Sequence, residues 1–121
     1  MIAIRRDSHA ARAGASTGGA VVYAIGDVHG RLDLLDDLLR RVGDDAARHP
    51  SLKSRELVML GDYIDRGPQS RGVVERLLTD PLPGFSTVRL MGNHEDALLN
   101  FIDGQSDGLD WLSYGGLETL M

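Results

Sequence analysis

Val21-Val22-Tyr23-Ala24-Ile25-Gly26-Asp27-Val28-His29-Gly30 is the first of three passages built alike: an apolar run, a polar turn bearing glycine, then a helical pattern. The second is Glu56-Leu57-Val58-Met59-Leu60-Gly61-Asp62-Tyr63-Ile64-Asp65-Arg66-Gly67. The third runs from Ser86 to Met91 and stops at Gly92-Asn93-His94-Glu95. Short continuous apolar runs of this kind predict strands buried on both faces. After the first, Leu32, Leu35, Leu39 and Val42 recur on one helical face, with Gly43 as the expected stop. Asp36–Arg40 and Asp37–Arg41 are i,i+4 pairs on that helix. After the second, Ser70 is a candidate cap for a helix carrying Val73, Val74, Leu77 and Leu78, ended by Pro81 and Pro83. A third helix begins near Glu95 and carries Leu98, Leu99, Phe101 and Ile102, and all these Leu-rich faces are expected to be core. The order predicts an α/β fold, βαβαβα, with parallel strands joined by right-handed crossovers. The three polar turns then gather at the carboxyl ends of the strands, where open α/β sheets bind ligands.

Composition narrows the partners. The 121 residues suffice for one modest core, and the net charge of -5 argues against a general binder of nucleic acid or anionic membrane. It leaves a phosphate substrate open, because a bound cation would reverse the sign locally. With no cysteine, any metal must be held by carboxylate, imidazole or amide. No stretch approaches the roughly 20 apolar residues of a membrane span. Met1 to Gly19, rich in Ala, Gly, Ser and Arg, reads as a flexible tail without the apolar stretch of a signal peptide. Residues 20–121 form the domain, and a cytoplasmic location is the default expectation.

Any one of Asp27, Asp62 or Asn93 alone is an ordinary turn or cap residue. Together with His29, His94 and Arg66, at three successive strand ends, they form a set of oxygen, imidazole and guanidinium groups suited to holding metal ions over a phosphate. His9 and His49 carry no such context. The blocks resemble, nearly letter for letter, the GDxHG, GDxxDRG and GNHE motifs of the calcineurin-like metallophosphoesterases, in their phosphoprotein-phosphatase branch. Trp111 to Leu120 also resembles a stretch that follows the third motif in bacterial members. Trp111 and Tyr114 are themselves read as packing residues.

The resemblance implies the first half of a two-sheet sandwich flanked by helices, and two divalent ions, Mn before Fe, Zn or Mg. Asp27, His29 and Asp62 would bind the first ion; the bridging Asp62 and Asn93 would bind the second. His94 would protonate the leaving oxygen, oriented by Asp65, while Arg66 and Asn93 would hold the phosphate. The implied reaction is hydrolysis of phosphate monoesters by direct attack of a metal-bound hydroxide, on phosphorylated proteins or small phosphoesters.

The chain departs from the family pattern twice. Met91 stands where these phosphatases carry a second phosphate-binding Arg, and Arg89 lies one layer further from the site. This weakens the case for a protein substrate and opens the alternative of a dinucleoside polyphosphate (diadenosine tetraphosphate) hydrolase. No His follows His94, whereas the family's second metal takes two from its C-terminal half. The chain therefore reads as the N-terminal part of the domain, expected to bind about one ion. A non-catalytic remnant that binds a metal or a partner, or self-associates through an uncovered sheet, is the reading from another class.

Overall fold

The computed structural model describes Ile2–Ala3 and residues 18–121. The elements are β1 (Ile2–Ala3), β2 (Ala20–Ile25), α1 (Leu32–Ala47), β3 (Ser54–Met59), α2 (Ser70–Leu78), β4 (Ser86–Arg89) and α3 (Asn93–Ile102). Two short helices close the chain, α4 (Leu109–Trp111) and α5 (Leu117–Leu120), joined by a widened π-type turn over Leu112–Gly116. The sheet order is β1-β2-β3-β4. β2, β3 and β4 are parallel, with Tyr23 opposite Leu57 and Leu57 opposite Thr87. β1 pairs antiparallel with β2, Ile2 opposite Ile25. This pairing falls in the segment expected to be a tail, most of which lies outside the described residues.

Sequential strand order has a consequence for the layers. Both crossovers step the same way across the sheet, so their right-handedness places α1 and α2 on one face. Val21, Tyr23 and Ile25 of β2 and Leu57 and Met59 of β3 point to that face. They form one core with Leu35, Leu38, Leu39, Val42 and Ala46 of α1 and Val73 and Leu77 of α2. The expected burial of β2 on both faces is therefore wrong for this chain. Val22, Ala24 and Val58 on the opposite face are half-buried, and Val88 is 38% exposed. A run that is apolar in sequence alternates in burial because, among the described residues, a layer covers only one face.

The helices correct the reading in five places. α1 does not stop at Gly43 but continues to Ala47, and buried Ala46 extends the stripe one turn beyond Val42. Tyr23 helps hold that last turn, its hydroxyl donating to Asp45 at 2.8 Å. Arg41 pairs with Asp37 at 2.8 Å as expected. Arg40 takes Asp37 and Asp44 instead, and Asp36 reaches across to Arg76 of α2 at 2.9 Å. Ser70 is the first residue of α2 but caps nothing. The apolar face of α3 is not core: Leu99 is 47% and Ile102 65% exposed, and His94 is the buried residue of that helix. Val74 and Leu78 of α2 are likewise exposed, because the α1 interface takes only Val73 and Leu77.

β4 is held by specific bonds more than by burial. Arg89 donates to the carbonyls of Leu77 (2.6 Å) and Thr79 (3.0 Å), satisfying the C-terminal end of α2 where a cation is also favoured by the helix dipole. Tyr63 bridges the carbonyls of Met59 (3.1 Å) and Leu90 (2.5 Å) beyond the strand ends.

Gly43 offers a direct test of the α1 assignment. A Cβ there would meet nothing nearer than Leu82 Cδ2 at 3.7 Å, an ordinary contact. Gly43→Ala should therefore stabilise the chain by roughly 0.5–1 kcal/mol, read as a higher urea midpoint with unchanged slope. Destabilisation would mean that the helix does end at Gly43.

Candidate active site

Among the described residues, five non-glycine residues have positive φ: Asp27 (55°), His29 (45°), Asp62 (57°), Asp65 (74°) and Arg66 (68°). Each is a motif residue. Such backbone costs of order 1 kcal/mol or more apiece, least for Asp and His, and persists only where surrounding bonds over-determine it. Those bonds are present. His29 N donates to the Asp62 carbonyl (2.9 Å) and Gly30 N to that of Tyr63 (2.8 Å), which docks the first loop on the second. Gly67 N returns a bond to the His29 carbonyl at 3.1 Å, and a Cβ on Gly67 would collide with that same oxygen. Only glycine lets these two loops approach so closely.

Glu95 ties the second loop to the third. Its carboxylate accepts from the backbone N–H groups of Asp62 (2.7 Å), Tyr63 (2.7 Å), Ile64 (3.3 Å) and Gly92 (2.9 Å). The last bond is one half of a capping box at the start of α3; Gly92 has no side chain to supply the other half. Burial, with the Glu95 charge next in effect, pushes the Tyr63 phenol up from its ordinary value, so it stays a donor to its carbonyl partners. The sequence reading gave Glu95 only a place at a helix start. Its signal was available, since an acidic residue at the third helical position commonly bonds back to the N-cap.

Asp65 is fully buried, and its Oδ2 lies 2.7 Å from Nδ1 of His94, the residue with which the sequence reading paired it. The His94 ring is itself buried. Bonding at Nδ1 fixes the tautomer and leaves Nε2 for chemistry. His29 is oriented in the same way: its Nδ1 lies 2.8 Å from the Ile64 carbonyl, and its Nε2 is the ring nitrogen left by that bond. The two rings meet edge to face, centroids 4.6 Å apart. Asp62 Oδ1 accepts from His94 N at 3.3 Å, at the N-terminal end of α3 where negative charge is favoured.

Arg66 is exposed at the edge of an open cleft of about 450 Å³, lined also by Leu112, Tyr114, Leu117 and Glu118. Its backbone N–H donates to the Gly115 carbonyl at 2.9 Å. Asn93 is exposed at the first position of α3. Arg89, committed to α2, takes no part, and Met91 is 61% exposed beside the third loop.

The donors of these loops suit a divalent cation in kind: carboxylate oxygens, an amide oxygen and an imidazole nitrogen whose other nitrogen is already bonded. The loops that carry Asp27, His29, Asp62 and Asn93 are joined to one another directly. Their side chains are less tightly gathered, for among the described residues no three His, Asp or Glu side chains form a closed cluster. No helix among the described residues is long and apolar enough to cross a membrane.

Residues 20–120 match the family profile of the calcineurin-like phosphoesterases. Serine/threonine-protein phosphatase 2 of Escherichia coli K12 is 37% identical over 95 residues, covering 78% of this chain and 38% of that protein. An asymmetrical bis(5'-nucleosyl)-tetraphosphatase of Oceanobacillus iheyensis is 34% identical over 100 residues, covering 78% of this chain and 37% of its own length. A symmetrical bis(5'-nucleosyl)-tetraphosphatase of Acidovorax sp. JS42 is 36% identical over 78 residues, or 64% of this chain and 25% of that one. The chain thus spans less than two fifths of the length of each of these relatives. A profile that begins with β2 and ends with α5 takes in all three motif loops, and on that ground the chain belongs to the calcineurin-like phosphoesterase family.

Proposed function

We propose that this chain carries the proton-donor side and the first metal site of a phosphomonoesterase resembling the bacterial serine/threonine protein phosphatases. The observation that supports this most directly is the buried Asp65–His94 pair at 2.7 Å, set beside a second imidazole with its Nε2 available. Asp27, His29 and Asp62 would hold one divalent ion, and Asn93 with the bridging Asp62 would contribute to a second. When bound, such ions neutralise phosphate oxygens and lower the pKa of a water nucleophile. This chain's residues do the rest. Arg66 clamps the phosphate from the exposed rim with its planar fork. As the phosphorus–oxygen bond to the leaving group breaks, His94 gives its Nε2 proton to the departing oxygen. Asp65 holds the ring in register.

Met91 supports a second reading. The chain offers no guanidinium at that position, and Arg89 is bound to α2. A site with one fewer phosphate clamp on the protein side suits dinucleoside polyphosphates as well as phosphopeptides, and relatives of both names match this chain. Turnover of a phosphoserine peptide against diadenosine tetraphosphate separates the two. If neither these nor an aryl phosphate were hydrolysed with Mn by a form of the protein carrying the family's remaining ligands, both readings would fail.

Metal stoichiometry tests the ligand assignment. One ion has Asp27, His29 and Asp62, whereas the second has only a shared carboxylate and a neutral amide, against repulsion from the first. Calorimetric titration with Mn should give about one ion per chain, lost in Asp62→Asn and strongly weakened in His29→Ala, with low turnover. Two tight sites with robust turnover would mean that another subunit donates ligands.

His94→Asn should leave Mn binding nearly intact. It should cost turnover of an alkyl phosphate within the roughly 10²–10⁴-fold range of general acid catalysis, and cost an activated aryl ester far less. A good leaving group needs no proton, so equal losses on both esters would remove His94 from the acid role.

A further inference from the structure

The segment from Leu109 to Leu120 packs against the second loop at the residue that orients the proton donor. A carboxylate that must aim one oxygen at an imidazole can still swing about its own Cβ–Cγ bond, and holding it requires bonds to both oxygens. Asp65 has them. Trp111 Nε1 donates to Oδ2 at 2.7 Å, beside the bond from His94, and the Thr119 hydroxyl donates to Oδ1 at 2.6 Å. The Asp65 backbone is held as well: its N–H has the Thr119 hydroxyl at 2.9 Å and the Ser70 hydroxyl at 3.0 Å as acceptors, in a residue whose φ is 74°. Trp111 is 4% exposed and stacks near Phe101, with centroids 5.4 Å apart. Gly116 lies so close beneath the indole that a Cβ there would collide with the ring. The indole therefore has no freedom to withdraw.

We infer that Trp111 and Thr119 are positioning residues for proton donation: they lock the Asp65 carboxylate so that His94 presents Nε2 to the leaving group. The inference rests on the phosphoesterase reading of His94. It also changes the role of Trp111, which the sequence reading assigned to packing. If these bonds merely satisfied a buried carboxylate, any loss on substitution would be indifferent to the leaving group.

Two measurements test it. The chain has a single tryptophan, so its indole N–H gives one assigned resonance. In the ¹⁵N-labelled chain we expect that resonance downfield of an exposed indole and slow to exchange with solvent, shifted upfield by Asp65→Asn and kept by His94→Asn. Should Asp65→Asn fail to fold, Thr119→Val replaces it, since freeing Oδ1 lets the carboxylate turn and moves the same resonance. An indole signal at the exposed position, or indifferent to the variant that folds, overturns the contact.

The second measurement is turnover with Mn at high enzyme concentration. Trp111→Phe and Thr119→Val should each lower alkyl phosphate turnover roughly 10-fold. They should lower aryl phosphate turnover far less, with KM and Mn affinity unchanged, and Thr119→Ser should recover the loss. Equal losses on both esters in these variants, while His94→Asn still discriminates between them, overturn this inference alone. Equal losses in His94→Asn as well overturn the proton-donor reading and this inference with it.

Discussion

Four backbone N–H groups from two loops converge on the carboxylate of Glu95, and the rest of the site depends on that convergence. Bonds from neutral donors to a charged acceptor are among the stronger ones a protein makes. Here they offset the cost of left-handed backbone at Asp62, Asp65 and Arg66. With the second loop fixed in this shape, its carbonyls at Asp62 and Tyr63 are placed to receive His29 and Gly30 from the first. Glu95 also lies in the first turn of α3, so the bonds that shape the second loop set the height of His94 above Asp65. Loop geometry, helix start and dyad are one construction.

That construction explains why strain is confined to motif residues. A left-handed Asp or His turns its side chain to a direction that a strand-to-helix turn would not otherwise give it. The strands beneath are ordinary by comparison. Their contribution is to stop at the same level, with Ile25, Met59 and Arg89 aligned in register. Function and fold thus use different parts of the same passage, the apolar run for the sheet and the polar turn for the chemistry.

The uncovered features form a second pattern. Among the described residues nothing covers the sheet face bearing Val22, Ala24, Val58 and Val88 or the apolar side of α3, whereas the opposite sheet face is packed. The site shares the asymmetry. Its Asp65–His94 side is enclosed by Trp111 and Thr119, while Asn93 and Arg66 face outward.

Much of this was legible in the residues themselves. Apolar runs ending in Gly-Asp or Gly-Asn fixed the strands, their parallel order and the meeting of the loops, because period and connection length leave few alternatives. The pairing of Asp65 with His94 followed from the motifs. What sequence could not decide was which apolar residues are buried: Val22 and Leu99 look like Val21 and Leu39 until the covering layers are known. Nor could it decide the partners of polar groups whose distances in sequence are large. Asp36 bonds Arg76 rather than Arg40, and Trp111 reaches Asp65 from 46 residues away. Periodicity reports local geometry, but a hydrogen bond between distant residues exists only once the layers have packed. The three parallel strands and the motif residues at their ends therefore belong to the sequence, while the enclosure of the dyad belongs to the tertiary structure alone.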